Sequence, residues 1–414
     1  MSTRFRIERL GVQGDGVADG PAGAVFIPYA LPGETVTAAV ERDRGTLIAV
    51  LDPSPQRSEP ACRHFGTCGG CALQHWERDA YQEWKRGLVG MALQSRGIGA
   101  DIAPLVPCAP HTRRRAAFST RRSSGGMVLG FNRAQSSDIV PLEECPVLLP
   151  QIAERLPMLR KLAGIVCSCG DKPFRMLVTA TASGLDVAVS DQGRLDENAR
   201  RLASSFALAE DLARVSADGE IVIEPHKPMI DFGGVGVSPP PGAFLQATAA
   251  AEQAMVELVL AHLSPAKRVA DLFSGCGSFA LRLARKAEVH AVESDAAALA
   301  ALDRGFRFAG GLRKVTHERR DLFRRPLTAK ELTAFGGVVF DPPRAGAEEQ
   351  ATQIARSEVP LVAAVSCNPA TLARDLRIIV DGGYRLKSVT PIDQFLWSPH
   401  VEAVALLEKP RKRR

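Results

Sequence analysis

The stretch Arg268-Val269-Ala270-Asp271-Leu272-Phe273-Ser274-Gly275-Cys276-Gly277-Ser278-Phe279 decides the fold. Arg268–Phe273 is typical of a buried strand, the glycines after it indicate a turn, and an apolar helix is expected from Phe279. A second strand, Glu288–Val292, ends at Glu293, about twenty residues after the first. Glycines in such a turn let a cofactor approach the backbone, and the acid can accept hydrogen bonds from ribose hydroxyls. Taken alone, this turn also fits a nicotinamide enzyme.

Strands and helices alternate from Ser264 onward, which predicts an α/β domain with a parallel sheet covered on both faces. Gly337–Phe340 runs into Asp341, Leu361–Ser366 runs into Cys367, and prolines follow both strands and stop them. Ligands of such sheets lie beyond the carboxyl ends of the strands. One edge of the sheet should therefore carry Asp271, Glu293, Asp341 and Cys367.

A late apolar strand begins near His400-Val401-Glu402. If this strand runs antiparallel to the others, its beginning lies on the same edge as Cys367. A thiol and a carboxylate placed together are suited to covalent catalysis followed by proton removal. The alternatives are an inert buried thiol at Cys367 and an ordinary surface acid at Glu402.

The sequence Asp-Leu-Phe-Ser-Gly-Cys-Gly at 271–277 lacks the third glycine of dinucleotide-binding turns. It resembles motif I of the class I methyltransferases, which bind S-adenosylmethionine. That resemblance implies that Asp271 and Gly275 face the methionine end of the cofactor and Glu293 its ribose. The alternative is that Asp271 only caps the following helix.

The run Ser366-Cys367-Asn368-Pro369-Ala370-Thr371-Leu372-Ala373-Arg374-Asp375 and the triplet His400-Val401-Glu402 carry a more specific resemblance. Both are similar to motifs of the bacterial RNA 5-methyluridine (uracil-C5) methyltransferases, and most like those of the iron–sulfur members that act on 23S ribosomal RNA. The resemblance covers nearly the whole chain. It implies that Cys367 adds to carbon 6 of uracil, that carbon 5 then takes the methyl group, and that Glu402 removes the carbon 5 proton.

The same resemblance implies a set of residues around the cofactor. They are Gln246, Asp271, Phe273, Gly275, Ser278, Glu293, Asp321 and Asp341. Asp341 is expected between the cofactor and the base, where it helps to hold the uracil. The chain departs from the family pattern at Ser274 (usually Cys), Ser278 (usually Asn) and Thr248 (usually Asn). These departures leave the reacting groups in place.

Nine cysteines in a chain without a secretory signal favour metal binding or catalysis over disulfides. Cys62, Cys68 and Cys71 lie close together in the sequence, and Cys145 follows far downstream. This spacing fits either zinc or an iron–sulfur centre, and by itself it slightly favours zinc. The resemblance implies a structural [4Fe-4S] cluster held by these four residues. Apart from Cys367, the remaining thiols are interpreted as ordinary: Cys108, Cys167, Cys169 and Cys276.

Short apolar stretches broken by turns predict five strands within residues 4–51, at 4–7, 16–18, 24–28, 35–40 and 46–51. They favour a small oligonucleotide-binding barrel, and the resemblance implies an RNA-binding TRAM domain. We expect a barrel at 1–58, a central α+β iron–sulfur domain at 59–76 and 108–243, and a methyltransferase domain at 77–107 and 244–414. A helix is expected at about 79–96.

Apolar residues make up 45% of the chain and the net charge is +6. The excess of arginine suits phosphate contacts, above all in the basic stretch Arg113–Arg115, Arg121–Arg122 and Arg133. The basic tail at 411–414 is expected to be a solvated, disordered end, with contact to RNA as the alternative. No apolar run is suited to a membrane span, so we expect a cytoplasmic monomer whose partner is RNA.

Three alternatives remain open. A non-catalytic RNA-binding assembly factor would use the same barrel and cluster, but it would need neither Cys367 nor Glu402. A methyltransferase of exocyclic base nitrogens would favour an aromatic residue where Arg344 stands. Transfer RNA is the second candidate substrate, disfavoured because its bacterial enzymes usually lack the cysteine cluster.

Overall fold

A computed structural model describes residues 2–410, so the basic tail at 411–414 lies outside the described residues. Six strands form the first sheet: β1 (Ser2–Arg6), β2 (Arg9–Leu10), β3 (Gly16–Gly20), β4 (Gly23–Ile27), β5 (Thr35–Glu41) and β6 (Arg44–Asp52). Their order is β1-β5-β6-β4-β3-β2, and the side chains of Phe5, Ile27 and Val36 are buried within it. The five predicted strands are confirmed, and β2 is an additional short one. Whether this sheet is a TRAM domain stays a prediction.

The cysteine-bearing segment leads into helix α1 (Arg78–Gln94), close to the predicted bounds. The carboxylate of Glu77 caps the helix by accepting hydrogen bonds from the amides of Asp79 and Ala80. Buried α1 side chains, among them Tyr81, Lys85 and Leu88, lie on the face that turns to the rest of the protein.

A second sheet occupies the middle of the chain. Its strands are β7 (Arg115–Ser123), β8 (Gly126–Asn132), β9 (Ile139–Pro141), β10 (Phe174–Thr181), β11 (Gly184–Ser190), β12 (Arg214–Ala217) and β13 (Glu220–Ile223), and its helices are α2 (Pro150–Ala153), α3 (Leu156–Val166) and α4 (Glu197–Ala209). The strand order is β13-β12-β11-β10-β7-β8-β9. Phe118, Met176 and Val178 face α3 and α4, which cover one side of the sheet. A small ribbon of β14 (Ile230–Asp231) and β15 (Gly236–Val237) follows.

The third sheet contains the candidate site. Its elements are α5 (Ala249–Leu263), β16 (Arg268–Leu272), α6 (Ala280–Leu283), β17 (Glu288–Glu293), α7 (Ala296–Phe308), β18 (Val315–Arg319), α8 (Ala329–Leu332), β19 (Gly337–Phe340), α9 (Glu348–Arg356), β20 (Leu361–Ser366), α10 (Pro369–Asp381), β21 (Arg385–Ile392) and β22 (Glu402–Glu408). The strand order is β18-β17-β16-β19-β20-β22-β21. The first five strands are parallel, and β22 runs antiparallel between β20 and β21.

Apolar side chains bury both faces of this third sheet, as the run of buried residues in β16 and β20 requires of a parallel sheet. The predicted α/β fold is thereby confirmed. The helix expected from Phe279 is the short α6, which begins only at Ala280 and ends at Leu283. Helix α1 packs against α10 and β21, far from it in the sequence. The division of the chain into domains remains a prediction.

Candidate active site

The strand ends of the third sheet bring the predicted acids and the thiol to one edge. Leu272 pairs with both Val292 and Phe340, and Phe340 pairs with Ala364. Since these strands are parallel, the residues that end them share the carboxyl edge of the sheet. The expected convergence of Asp271, Glu293, Asp341 and Cys367 is confirmed.

The antiparallel strand β22 brings Glu402 to the same place. Its register pairs Ser366 of β20 with Ala403, so Cys367 and Glu402 are the next positions on the two neighbouring strands. Asn368 caps α10 by accepting a hydrogen bond from the Ala370 amide, which turns the chain sharply just after the thiol. Glu402 is buried, 2% exposed, so the alternative of an ordinary surface acid is wrong.

The Cys367 thiol lies in a half-buried and mostly negative environment. Burial, with the charges of Glu402 and Asp341, raises the pKa of Cys367 to about 11, and the Arg344 guanidinium opposes this rise. The backbone oxygen of Arg344 accepts hydrogen bonds from Asn368 and Thr371, which ties this arginine to the nucleophile loop. The resting thiol is therefore neutral, and Arg344 is the cation that faces a thiolate there.

A chain of side-chain amides joins the two carboxylates of the site. Gln246 Nε2 donates to Asp341 Oδ2 at 2.8 Å. Gln394 Nε2 donates to Gln246 Oε1 at 2.8 Å and to Glu402 Oε2 at 2.6 Å. Both glutamines are buried. The result is one connected network, Asp341–Gln246–Gln394–Glu402. Each carboxylate in it accepts a hydrogen bond from a side-chain amide N–H group.

Both carboxylates of this network hold a proton more strongly than usual. Burial, with the negative charge of Asp341, raises the pKa of Glu402 to about 8, against the opposing effect of the Gln394 hydrogen bond. Burial likewise raises the pKa of Asp341 to about 7, opposed by the bond from Gln246. A group that ionises near neutral pH is well matched to proton transfer.

The turn after β16 has the backbone of a binding loop. Phe273 and Gly275 adopt left-handed conformations, with φ of 62° and 53°. No atom lies within 4 Å of a Cβ placed on Gly275, so the backbone is open there, whereas one on Gly277 would meet Leu302 at 2.9 Å. Gly277 is therefore needed for packing, and Gly275 leaves its backbone accessible.

Asp271 is completely buried, and neither of its carboxylate oxygens has a hydrogen-bond partner among the described residues. Burial raises its pKa well above the ordinary value; the amide of Ala280 opposes this rise, while Asp341 and Glu293 add to it. Phe279 at the N-cap of α6 makes no side-chain cap, and the Ala280 amide at the start of this helix acts on Asp271, so the alternative that Asp271 caps α6 stays open. A buried acid without partners at a sheet edge has capacity for a polar ligand.

The remaining predicted cofactor residues are placed in different ways. Glu293 Oε2 accepts from the Gly275 amide at 3.0 Å, and its Oε1 accepts from the amides of Ser294 and Asp295. This carboxylate is thereby fixed to the glycine turn while Oε2 keeps a free lone pair. Asp321 is exposed and accepts from the Phe323 amide. The carbonyl of Ser278 accepts from Arg282.

The segment that carries Gln246 is anchored by a buried arginine. Arg114 donates from Nε to the Gln246 carbonyl and from Nη2 to Glu252 at 2.5 Å. Arg114 is thus not free to bind phosphate, and its assignment to a basic RNA-contacting stretch is wrong. Thr248, where the family pattern has Asn, caps α5 by accepting from the Ala251 amide.

The rest of the predicted basic stretch is divided. Arg113 and Arg115 are half-buried and lie over the rings of Phe395 and Phe244. Exposed guanidinium groups remain on the central sheet at Arg121, Arg122 and Arg133.

The cysteines at 62, 68, 71 and 145 line a common cavity of about 350 Å³, which we call the cysteine cavity. Its wall is completed by Phe131, Leu142 and Arg113 and reaches Phe395 and His400 beside the active site. Burial raises the pKa of each of the four thiols, that of Cys71 to about 12. Within residues 2–410, no three His, Cys, Asp or Glu side chains stand close enough together to hold a single metal ion.

Sequence reasoning missed Gln394 and the buried pair behind it, Lys85–Asp393, whose atoms Nζ and Oδ1 are 2.7 Å apart. Asp393 and Gln394 interrupt an otherwise apolar run, Ile392–Trp397. Two polar residues inside such a run were the available signal, because buried polar groups need partners.

Comparison with known proteins gives one consistent result. The family described as tRNA (Uracil-5-)-methyltransferase matches residues 238–410. An uncharacterized RNA methyltransferase of Mesorhizobium japonicum is 66% identical over the whole of both chains. The 23S rRNA (uracil(1939)-C(5))-methyltransferase RlmD of Halomonas elongata is 35% identical over 98% of this chain and 89% of its own length.

Among solved structures, the Pyrococcus abyssi tRNA (uracil-54, C5)-methyltransferase in complex with S-adenosyl-L-homocysteine matches with a TM-score of 0.75 and 22% identity. The match covers 98% of this chain and 100% of the other, and it concerns the fold. None of the helices between residues 2 and 410 has the length and apolarity needed to cross a membrane.

Proposed function

The chain belongs to the tRNA (uracil-5-)-methyltransferase family of RNA methyltransferases, and from this premise we propose that it methylates carbon 5 of a uridine in 23S ribosomal RNA. Cys367 is the covalent nucleophile and Glu402 the general base. The observation that carries the proposal is the register of β20 and β22, which makes Cys367 and Glu402 neighbours. They lie at the same edge of the sheet as Asp341, which directly follows β19.

S-adenosylmethionine supplies the methyl group as a sulfonium, and the residues present fit it. Asp271 offers buried oxygens without partners, and Gly275 leaves its backbone open. Glu293 would accept hydrogen bonds from the ribose hydroxyls. Phe273 and Ser278 belong to the same turn, and Gln246, Asp321 and Asp341 would complete the set of residues that hold the cofactor. This assignment rests on the geometry of the turn together with the family motifs.

The first step is addition of sulfur to the base. Cys367 loses its proton to water, and its thiolate, facing Arg344, forms a bond to carbon 6 of uracil. The electron pair of the C5–C6 double bond is then shared as an enolate between carbon 5 and the carbonyl oxygen. Carbon 5 forms a bond to the methyl carbon as the methyl–sulfur bond breaks, so that an unreactive carbon has been made nucleophilic.

Glu402 completes the reaction. Its carboxylate takes the proton from carbon 5, the C5–C6 double bond re-forms, and the C6–S bond breaks to return Cys367 as a thiolate. Because the carboxylate is buried beside Asp341 and has a raised pKa, it is a stronger base than an exposed glutamate. An RNA-binding assembly factor has no use for such a buried acid next to a thiol.

A target uracil must leave its stack to reach this edge. Arg121, Arg122 and Arg133 are the exposed cations of the central sheet that we assign to the RNA backbone. The similarity to RlmD over nearly the full length favours ribosomal RNA, while the family description and the fold match keep transfer RNA as the second candidate.

We also propose that Cys62, Cys68, Cys71 and Cys145 hold a [4Fe-4S] cluster that joins the segment before α1 to the central sheet. A zinc ion with Zn–S distances of about 2.3 Å draws its four thiolates tightly together. The assignment of the larger iron–sulfur group follows the family resemblance, and it is supported by the four thiols lining one cavity. The cluster is structural in this proposal and takes no part in the methyl transfer.

The test is trapping with RNA that contains 5-fluorouracil, because fluorine cannot leave as a cation and the adduct persists. With S-adenosylmethionine and a 23S rRNA fragment, the wild-type protein should form a complex that survives denaturing electrophoresis. Cys367→Ala should form none, and Cys169→Ala, a half-buried thiol outside the site, should form it normally. A persistent adduct in Cys367→Ala, or none in the wild type, overturns the proposal.

A second experiment addresses the substrate. Transfer of a tritiated methyl group should be detected with a 23S rRNA transcript and be at least about tenfold slower with unmodified transfer RNA, the effect of about one mismatched position in a recognised site. The reverse preference would replace ribosomal RNA with transfer RNA while leaving the chemistry unchanged.

A further inference from the structure

Gln394 contacts both the proposed base, Glu402, and Gln246, which hydrogen-bonds Asp341. Gln394 lies two residues after β21 and is 2% exposed. Its Nε2 donates to Glu402 Oε2 and to Gln246 Oε1, and its Oε1 accepts from the Ala247 amide at 2.7 Å. All three hydrogen bonds of this side chain therefore join it to Glu402 or to the segment that carries Gln246.

The Ala247 amide fixes which way the glutamine amides point. A backbone N–H can only donate, so the Gln394 atom that faces it must be the oxygen. The NH2 group of Gln394 then faces Gln246 and Glu402, so Gln246 must present its oxygen to Gln394 and its NH2 group to Asp341. One backbone amide thus sets the polarity of the whole network.

The loop that carries Gln394 is itself held from behind. Asp393 accepts from Lys85 Nζ at 2.7 Å and from the Tyr81 hydroxyl at 2.7 Å, both on α1. The Phe395 amide also donates to Asp393, and Lys85 donates to the Phe395 carbonyl. Since Lys85 and Asp393 are both buried, the backbone on either side of Gln394 is fixed by a rigid attachment to α1.

The groups that face Glu402 differ in their effect on its charge. Asp341, which follows β19, raises the cost of a negative charge there, and the charge of Glu402 in turn raises the pKa of Cys367. Arg344 acts on Cys367 and donates to His400 rather than to Glu402. Among the described residues, Gln394 is the side chain that donates a hydrogen bond to this carboxylate.

We propose that Gln394 is a positioning residue that keeps the Glu402 carboxylate ionised and oriented for the removal of the carbon 5 proton. This inference rests on the proposed function. Gln394 is thereby assigned to the removal of the carbon 5 proton alone. The addition of Cys367 and the methyl transfer both come before Glu402 removes this proton.

The experiment compares two steps in Gln394→Met, a variant of similar volume that lacks both donors. Multiple turnover on ordinary uridine RNA should fall by about ten- to a hundredfold at pH 7, the effect of losing a hydrogen bond to a charged group. The pH at half-maximal rate should move upward by about one unit. Trapping by 5-fluorouracil RNA should stay within about twofold of the wild type, and a covalent complex should accumulate on ordinary uridine.

The control is Gln350→Met. Gln350 is equally buried, but it hydrogen-bonds the Leu327 backbone and no carboxylate of the network, so its loss should lower stability without moving the pH profile. Gln394→Glu retains the acceptor for Ala247 but adds a negative charge beside Glu402. Its profile should also shift upward, which keeps the test decisive if the methionine variant folds poorly.

The inference is overturned if either Gln394 variant keeps the wild-type pH profile, or if trapping falls in parallel with turnover, since both results indicate a purely structural role. A wild-type protein that forms no adduct overturns the proposed function instead, and the inference with it. The two failures are thus distinguished in one set of assays.

Discussion

The amide network of the active site and the thiols of the cysteine cavity are both buried, but their polar atoms are held in different ways. In the network, each carboxylate accepts an N–H donor and the orientation follows from the Ala247 amide. Around the cavity, burial leaves four thiols neutral, and thiols are only weak hydrogen-bond donors. The chain alone therefore determines the geometry of the network, whereas the geometry of the cavity depends on what the thiols bind. Substitutions in the network should alter chemistry, and substitutions around the cavity should alter stability.

The largest effect should come from Glu402→Gln. Turnover on ordinary uridine should fall by about 10²–10⁴-fold, the usual contribution of a general base, and the methylated covalent complex should persist on denaturing gels. The complex forms because Cys367 and the cofactor site are untouched. A variant that turns over at the wild-type rate would show that Glu402 is not the base.

The same substitution should not weaken the fold. In the folded protein the pKa of Glu402 is raised from 4.5 to about 8. The unfolded chain therefore loses this proton at a lower pH than the folded protein, and the free energy of unfolding falls as the pH rises from the ordinary pKa to about 8. At pH 8 the glutamine variant should therefore unfold with a free energy equal to the wild type or higher by up to ~2 kcal/mol. A clear loss of stability at pH 8 would contradict the expectation that substitutions in the amide network alter chemistry rather than stability.

Lys85→Met should produce the next largest effect, because it leaves Asp393 buried without its cation. We expect a loss of ~3–5 kcal/mol in unfolding free energy, measured by urea denaturation with fluorescence of the nearby Trp84. The control is Lys387→Met, whose half-exposed pair with Glu408 should be worth less than ~1 kcal/mol. Equal losses in the two variants would refute a special role for the buried pair.

Cys145→Ala tests the cavity. The anaerobically purified wild type should be brown, and the variant should be colourless and less stable by ~2–3 kcal/mol, since a group that binds only the folded state stabilises it. Trapping by 5-fluorouracil RNA, per folded molecule, should stay within about threefold. Colourless wild-type protein containing stoichiometric zinc would contradict the assignment of the cluster.

The pH dependence of the wild type should be the smallest effect. Glu402, whose pKa is raised to about 8, acts in its ionised form in the step that releases the product, and we expect this step to limit turnover. Turnover should therefore rise by about tenfold between pH 7 and pH 9. Cysteine-cavity variants should show the same slope, and a flat or falling profile would exclude Glu402 as the titrating base.

Sequence patterns were sufficient where a residue ends a strand. The apolar patterns of β16, β19 and β20, the glycine turn after β16 and the prolines after β19 and β20 placed Asp271, Asp341 and Cys367 on one edge. The position of Glu402 required only that the last strand be antiparallel. These predictions depend on local patterns and on one rule of sheet topology.

Sequence patterns were insufficient where a polar residue has a distant partner. Gln394 acts through Ala247 and Gln246, almost 150 positions away, and Lys85 through Asp393, more than 300 away. The sequence of Arg113–Arg115 shows three equal cations, yet only burial beside Glu252 reveals that Arg114 is an internal anchor. Such pairings are set by tertiary packing and leave no periodic trace.

The insertion of β22 between β20 and β21 has a consequence for how the protein matures. Until β22 is inserted, β20 has an unpaired edge that invites aggregation, and a chain at this stage would possess its nucleophile without its base. Such a chain would form the covalent adduct with RNA through Cys367 but would not release it, because release needs Glu402. Because one pairing event both closes the sheet and supplies Glu402, the step that protects the protein from aggregation also protects its substrate from a permanent crosslink.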